Sequence, residues 1–132
     1  PRTWAQDNDP LDVLVLCQEA ILPLTLVACR PIGMVRMADG ESKDEKIVAV
    51  PVGDPSMAGY TDIDQLPRHT LAEIGHFFEV YKGLEGKVTA VRNMVGPEAA
   101  RQVIRGAIAA YVQKFLIGDG AIRVSGGEEA GR

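Results

Sequence analysis

The sequence predicts a mostly β domain with flanking α-helices, in which strands fill the first half of the chain and two helices fill the second. Apolar runs of strand length recur roughly every 8–14 residues up to residue 52, with turn residues between them. Two later segments carry apolar residues at spacings of three and four, which is the period of a helix face. The strand spacing is typical of a small barrel or sandwich.

Four apolar runs predict the strands of the first half. Residues 12–16 are rich in leucine and β-branched side chains and indicate a buried first strand. Residues 24–30 and 32–37 predict the second and third strands. Residues 46–52 predict the next one, and Pro51 places its end at a sheet edge because proline cannot donate a ladder hydrogen bond.

The second half predicts two helices with a brief strand at residues 88–91 between them. Residues 67–82 carry an apolar helix face, and Gly83 ends that helix. Pro97 in the first turn opens the second helix, and Gly118 closes it.

Length and charge exclude several functional classes. The 132 residues are enough for one domain, and 46% of them are apolar, so a buried core is expected. The formal net charge of −4 argues against nucleic acid and anionic membrane surfaces as partners, because phosphate groups are held mainly by Lys and Arg. We find neither a run of about 18 apolar residues that could cross a membrane nor a secretory signal.

The two cysteines, Cys17 and Cys29, both lie in apolar runs. We expect them to be small buried hydrophobic residues in strands rather than a disulfide or a metal site. Reduced thiols fit a cytoplasmic protein, or one in an organelle if a targeting leader has been lost.

An acidic cluster of Asp7, Asp9 and Asp12 precedes the first predicted strand. Crowded carboxylates raise one another's pKa, and a bound divalent cation with a preference for oxygen ligands relieves that cost. A solvated turn is the alternative, because Asp, Asn and Pro are turn residues. An EF-hand calcium loop is excluded, because Leu11 occupies a ligand position and Asp12 replaces the required glycine.

A second cluster contains Asp39 and Asp44, and on its own it fits either a metal site or an ordinary solvated hairpin loop. Lys46 follows two residues later and opens an apolar strand. By the two-residue period of a strand, Lys46 shares a face with Val48 and Val50. A lysine that faces inward needs an anion, and a phosphate group would serve.

Three further signals are weaker. Tyr81 and Lys82 end the first helix, either as phosphate ligands or as a core tyrosine and a cation favoured by the helix dipole. His69 and His76 are seven residues apart, whereas metal-binding pairs on a helix are three or four apart, so we expect surface or packing roles. Trp4 lies beside the first acidic cluster and could form a wall of the site or simply pack.

Taken together, these motifs resemble the soluble inorganic pyrophosphatases of the Mg²⁺-dependent, single-barrel family. The triplet Asp-x-Asp-Pro-x-Asp ahead of a strand is the family's signature, and its spacing to the second cluster also fits. The resemblance covers about residues 1–112, and the residues there are most similar to those of plant and protist members. The matching stretches are residues 7–15, 30–33, 37–39, 44–50, 66–67 and 76–82.

The resemblance implies an OB-like five-stranded barrel with flanking helices. It also implies a hydrolase of phosphate metabolism that splits inorganic diphosphate into two phosphates by a Mg²⁺-activated water, with Mn²⁺ as an alternative metal. By position, the resemblance makes Asp7, Asp12, Asp39 and Asp44 the metal ligands and Asp9 the general base.

The resemblance also assigns Lys46, Tyr81 and Lys82 to the phosphate oxygens. The family places further substrate-binding residues upstream of the acidic triplet, and we expect them in a longer parent protein. Without them the barrel would be incomplete and the chain a weak enzyme, or a non-catalytic module that binds metal and phosphate. We expect residues 1–117 to form the domain and residues 118–132 a disordered tail. The sequence leaves open whether the protein forms a homo-oligomer.

Overall fold

The described part of the protein folds as a four-stranded mixed sheet with one α-helix on each face. The computed structural model describes residues 2–39, 42–84, 86 and 90–117, without the side chains of residues 39, 42 and 43. The strands are β1 at Val13–Val15, β2 at Cys29–Asp39, β3 at Ser42–Pro51 and β4 at Ala90–Val95. Their order in the sheet is β1-β3-β2-β4.

The β2–β3 hairpin is the centre of the sheet, because each of its strands also pairs with an outer strand. β2 and β3 are antiparallel, with Met37 opposite Asp44 near the turn. β4 is antiparallel to β2. β1 pairs in parallel with β3, and Val13 lies opposite Ile47. This pairing brings the start of β1, and the acidic residues before it, next to the first half of β3.

Two helices flank the sheet. The first, α1, spans Arg68–Leu84. The second, α2, spans Pro97–Tyr111 and continues as a π-helical segment at Val112–Ile117. Pro97 occupies the first helical turn, as predicted, because its missing N–H would have no partner there. None of the described helices is both long and apolar enough to span a bilayer.

The core consists of two apolar clusters on opposite faces of the sheet. Because side chains alternate along a strand, Val48 of β3 points to the α1 face and Ile47 points to the α2 face. On the α2 face, Ile47 packs with Met34 and Ala100. The larger cluster, on the α1 face, contains Ile32, Val35, Met37, Val48, Val50, Ile63, Leu66, Ile74 and Phe78.

This arrangement confirms the predicted class, mostly β with flanking helices. In the described residues the five-stranded barrel is incomplete, because four strands form an open sheet. The prediction of two separate strands at 24–30 and 32–37 is wrong. A single strand, β2, begins at Cys29 and passes Pro31 through an irregularity in its pairing with β3. Residues 24–28 are not strand. Leu24 lies in a turn and has a left-handed backbone conformation with φ of 67°.

Several local predictions also change. Cys17 was predicted to be buried in a strand, but it follows β1 and is exposed, whereas Cys29 is partly buried in β2; both are free thiols. The strand predicted at 88–91 is β4 at Ala90–Val95, and residues 88 and 89 lie outside the described residues. The predicted helix end at Gly118 and the tail at 118–132 also lie outside them, so the domain boundary stays a prediction.

Candidate active site

A tight acidic loop at residues 5–9 carries the first two aspartates of the signature. The Ala5 N–H donates to the Asp9 carbonyl oxygen at 2.8 Å, and the Asn8 N–H donates to the Ala5 carbonyl oxygen at 3.2 Å. Asn8 has a φ of 65°, a left-handed conformation that asparagine tolerates better than most residues. The Asp9 N–H donates to Asp7 Oδ1 at 3.2 Å. Both aspartates are therefore displayed to solvent from a hydrogen-bonded turn.

Asp12 is placed by the parallel pairing of β1 with β3. The Ile47 N–H donates to the Asp12 carbonyl oxygen at 3.1 Å, which fixes the backbone of Asp12 beside the start of β3. Its side chain is 65% exposed and makes a very short ion pair with Lys46 Nζ. The topology, rather than any local motif, brings this aspartate to Lys46.

Lys46 lies between two carboxylates. Its side chain is only 8% exposed, and Nζ lies 2.9 Å from Asp44 Oδ1 in addition to its contact with Asp12. Burial alone would lower the pKa of Lys46, but hydrogen bonds and the charges of Asp12 and Asp44 outweigh it and raise that pKa. The predicted inward orientation of Lys46 is confirmed, and the anions that it meets within the chain are carboxylates.

Asp44 is the buried member of the acidic set, with its side chain 10% exposed. Lys82 of α1 places Nζ 3.0 Å from Asp44 Oδ2. Burial alone would raise the pKa of Asp44, but hydrogen bonds and charge from Lys46 and Lys82 hold that pKa below its ordinary value. Asp44 therefore stays ionised at neutral pH although it is buried.

A pocket of about 500 Å³ opens between the acidic loop, β3 and α2. Asp7, Asp12 and Asp44 all line it, so one acid from the loop, one from the residue before β1 and one from the hairpin share a single cavity. The remaining lining residues are Trp4, Ala5, Gln6, Asn8, Pro10, Leu11, Glu45, Val103, Gly106, Ala107 and Ala110.

The pocket's donor set suits a hard divalent cation. Asp12 and Asp44 each contact the same nitrogen, so their nearest oxygens lie within about 6 Å of each other, twice the length of a hydrogen bond. Asp44 Oδ2 is buried, and Lys82 Nζ lies 3.0 Å from it. A carboxylate oxygen has more than one acceptor site, so an oxygen paired with one lysine can still accept a metal ligand bond.

The described side chains do not bring three acidic, histidine or cysteine groups together at metal-ligand distance. Two converging carboxylates with the third on the same pocket wall leave several coordination positions for water or substrate oxygens. Mg²⁺ is usually bound in this manner.

Asp9 and Tyr81, which were also predicted as site residues, are not among the described residues that line the pocket. Asp9 lies in the acidic loop beside Asp7. Asp39 ends β2, and the hairpin register makes its backbone a diagonal neighbour of Asp44, while its side chain lies outside the described set. Tyr81 is half-exposed on α1, its ring stacked on Phe77 with the centroids 5.9 Å apart.

One wall of the pocket was not predicted from the sequence. It comes from α2, where the small residues Gly106, Ala107 and Ala110 line the pocket. Small residues at a spacing of three or four on one helix face signal a close approach of another segment, but that pattern alone does not say which segment approaches. His69 and His76 are exposed on α1, as expected.

Comparisons with known proteins connect this geometry to one family. A family model described as "Inorganic pyrophosphatase" matches residues 1–112. Two curated relatives match over 116 residues, or 88% of this chain. "Soluble inorganic pyrophosphatase 2" of Chlamydomonas reinhardtii is 43% identical and is covered over 60% of its length. "Soluble inorganic pyrophosphatase PPA1" of Solanum tuberosum is 47% identical and is covered over 55%. The chain thus spans little more than half the length of these relatives.

Solved structures show the same likeness. The inorganic pyrophosphatase from Helicobacter pylori superposes with a TM-score of 0.79 at 41% identity, covering 84% of this chain and 67% of that one. The inorganic pyrophosphatase from Thermus thermophilus superposes with a TM-score of 0.78 at 38% identity, covering 84% of this chain and 66% of that one.

Proposed function

The chain belongs to the inorganic pyrophosphatase family, and from this premise we propose that the protein hydrolyses inorganic diphosphate to two phosphates with divalent cations held in the acidic pocket. The observation that carries the proposal is the meeting of Asp12 and Asp44, distant in the chain, on either side of Lys46 in a pocket that Asp7 also lines. An ordinary solvated hairpin loop would not bury a carboxylate there.

The family implies a divalent metal, and we propose Mg²⁺, with Mn²⁺ as a substitute. Asp7, Asp12 and Asp44 would hold one cation, and Asp39 would join Asp44 at another. The burial of Asp44 and the open orientation of Asp12 and Asp7 support this division, because one fixed carboxylate and two adaptable ones can follow a cation as substrate enters. When bound, the cations would lower the pKa of a water molecule and offset the charge of diphosphate.

The basic side chains would bind the phosphate oxygens. Lys46 and Lys82 are already within 3.0 Å of Asp44 oxygens, so they lie next to the place where a phosphate would contact metal-bound carboxylates. Tyr81, half-exposed and one residue before Lys82, would add a hydroxyl donor. The Asp9 carboxylate would accept the proton of the attacking water, and its exposure in a turn leaves it able to reach substrate.

We also propose a cytoplasmic location, on the reduced state of the two thiols. Self-association into a homo-oligomer is a prediction that sedimentation of the purified protein can test.

A phosphate-release assay with diphosphate and Mg²⁺ tests the proposed function. Asp9→Asn is expected to lower kcat by about 10²- to 10⁴-fold, the usual contribution of a general base. The matched control is Asp64→Asn, which removes an exposed carboxylate on the short 3₁₀ helix at Ile63–Gln65, outside the pocket. Heat of metal binding without turnover by the unmutated protein would instead indicate a non-catalytic metal-binding module.

A further inference from the structure

Trp4, the chain's single tryptophan, ties the acidic loop to the end of α2. Its backbone N–H donates to the Ala107 carbonyl oxygen at 2.9 Å. Its ring meets Phe115 edge-on, with centroids 5.2 Å apart and an interplanar angle of 80°. Lys114 Nζ lies 3.8 Å above the Trp4 ring, which is cation–π distance. We call Trp4, Lys114 and Phe115 the aromatic clamp.

The local helix geometry makes the clamp possible. Lys114 and Phe115 lie in the π-helical segment at Val112–Ile117 that continues α2. A π-helix has more residues per turn than an α-helix, so it changes the direction in which side chains leave the axis, and such segments are frequent at functional sites. Tyr111 of the preceding turn lies against Phe115, with ring centroids 4.9 Å apart. Tyr111, the last residue of α2, therefore also packs against the clamp.

The clamp and the acidic pocket share a wall. Trp4 and Asp7, three residues apart, both line the pocket, and Ala107 and Ala110 of α2 line it as well. The ring that packs in the clamp thus belongs to the segment that presents the Asp7 carboxylate.

The acidic side chains of the loop do not themselves hold it in place. Asp7 and Asp9 are exposed, so no packing of their own side chains fixes their position. At the loop's exit, the Leu11 N–H donates to Thr3 Oγ1 at 3.1 Å, which joins the entry and exit segments. The exit segment is also held by Leu11, which packs against the core cluster on the α2 face. The entry segment is held to α2 by the Trp4–Ala107 backbone hydrogen bond and by the clamp.

We propose that Trp4 is a positioning residue, which the aromatic clamp uses to hold the acidic loop so that Asp7 can share a cation with Asp12 and Asp44. The inference rests on the proposed function, because it concerns the same metal site. The inference adds that metal affinity depends on Lys114 and Phe115 of the π-helical segment, which supply no carboxylate to the pocket.

Mn²⁺ titration by isothermal calorimetry on the chelator-treated protein tests the inference. Trp4→Ala is expected to weaken Mn²⁺ binding roughly tenfold, as is typical when a group that orients a metal ligand is lost. Trp4→Phe keeps an aromatic ring and should restore most of the affinity. Lys114→Met keeps the aliphatic stem but loses the charge, and should weaken binding about two- to fivefold. Leu116→Ala, an exposed neighbour in the same π-helical segment, is the matched control and should bind as the unmutated protein does.

The hydrolysis assay gives a second signature. The Trp4→Ala enzyme should need more Mg²⁺ for half-maximal activity yet approach the unmutated kcat at saturating Mg²⁺, whereas a general folding defect would lower kcat at every concentration. Trp4 fluorescence should change on Mg²⁺ addition in the unmutated protein and stay constant in Asp44→Asn.

The outcomes separate the two claims. If the unmutated protein binds Mn²⁺ and Asp44→Asn does not, the metal site stands. Unmutated affinity in both Trp4→Ala and Lys114→Met would then overturn the clamp alone. If Trp4→Ala fails to fold, as judged by circular dichroism, Lys114→Met decides by itself. Absence of Mn²⁺ binding in the unmutated protein would overturn the proposed function and the clamp together.

Discussion

At the scale of single residues, the site is organised by charge pairs that formed across the fold. Lys46 and Asp44 sit on the same strand face as buried valines, a position that an isolated charge could not occupy without a large desolvation cost. They tolerate it because each has opposite charges within about 3 Å. Removing Lys46 or Asp44 therefore leaves the remaining charge without its full counter-charge.

The pH dependence of stability should report this pairing. The folded pKa of Asp44 lies below its ordinary value of 3.8, so Asp44 stabilises the fold above that pH and loses its contribution as pH falls through the lower folded pKa. Asp44→Asn is expected to lower the free energy of unfolding at pH 7 by about 1–3 kcal/mol in the presence of a chelator. Urea unfolding at several pH values measures it. The difference between variant and parent should shrink below pH 3.8, and a constant difference would contradict the assignment.

The stability contribution of Lys46 at high pH follows from the same reasoning. The folded pKa of Lys46 lies above 10.5, so its contribution is complete below that pH and is lost as pH rises through the folded pKa. The neutral range lies between the two windows, where both groups are charged.

At the scale of elements, the packing of β2 depends on one glycine. A Cβ at Gly33 would lie 2.6 Å from Ile63 Cβ and 2.7 Å from the Val95 carbonyl oxygen. The Val95 oxygen belongs to the paired backbone of β4 and cannot move aside as a flexible side chain would.

Gly33→Ala is therefore expected to lower the free energy of unfolding by about 2 kcal/mol or more, because overpacking forces the sheet and the 3₁₀ helix apart. Gly75→Ala is the matched control. Its new Cβ would meet Met94 Cε at an ordinary 3.7 Å within α1, and alanine favours a helix over glycine by about 1 kcal/mol. Urea unfolding of both variants should give changes of opposite sign.

Leu24 is a second strained position, and here glycine should help. Leu24 has a φ of 67° and a fully exposed side chain. The free-energy cost of its left-handed conformation is therefore not offset by packing of the side chain. Leu24→Gly is expected to raise the free energy of unfolding by about 0.5–1 kcal/mol. Leu26, equally exposed but without a positive φ, is the control, and Leu26→Gly should lower it by a similar amount. Thermal unfolding that moves both variants in the same direction would rule out strain at Leu24.

The same position shows where sequence reasoning about elements failed. The apolar run at 24–30 matched a strand by composition, but it starts in a turn with a left-handed backbone at Leu24 and becomes a strand only at Cys29. Composition does not report φ. Both helices were predicted because periodicity over fifteen or more residues is a strong signal. The acidic motif was also recognisable, because its spacing is local. The meeting of Asp12 with Asp44 was only an expectation from resemblance, because it arises from the parallel β1–β3 register, which no local pattern encodes.

At the scale of the whole molecule, metal binding and folding should be linked. A cation that binds only the folded protein stabilises it by mass action, by about 2.7 kcal/mol at a concentration one hundred times Kd. The thermal midpoint should therefore rise with Mg²⁺ concentration. Asp12→Asn should reduce that rise, and scanning fluorimetry in Mg²⁺ against a chelator measures it. An equal rise in Asp12→Asn and the unmutated protein would place the stabilising cation elsewhere.

The position of the Lys46 ammonium group between Asp12 and Asp44 has one further consequence. Where a metal is the sole counter-charge of its ligands, as in zinc fingers, chelation unfolds the domain. Here Lys46 supplies a counter-charge from the chain itself. We therefore expect folding and cation binding to be separate events. The protein is expected to fold in the presence of a chelator and to bind Mg²⁺ when the cation is added afterwards.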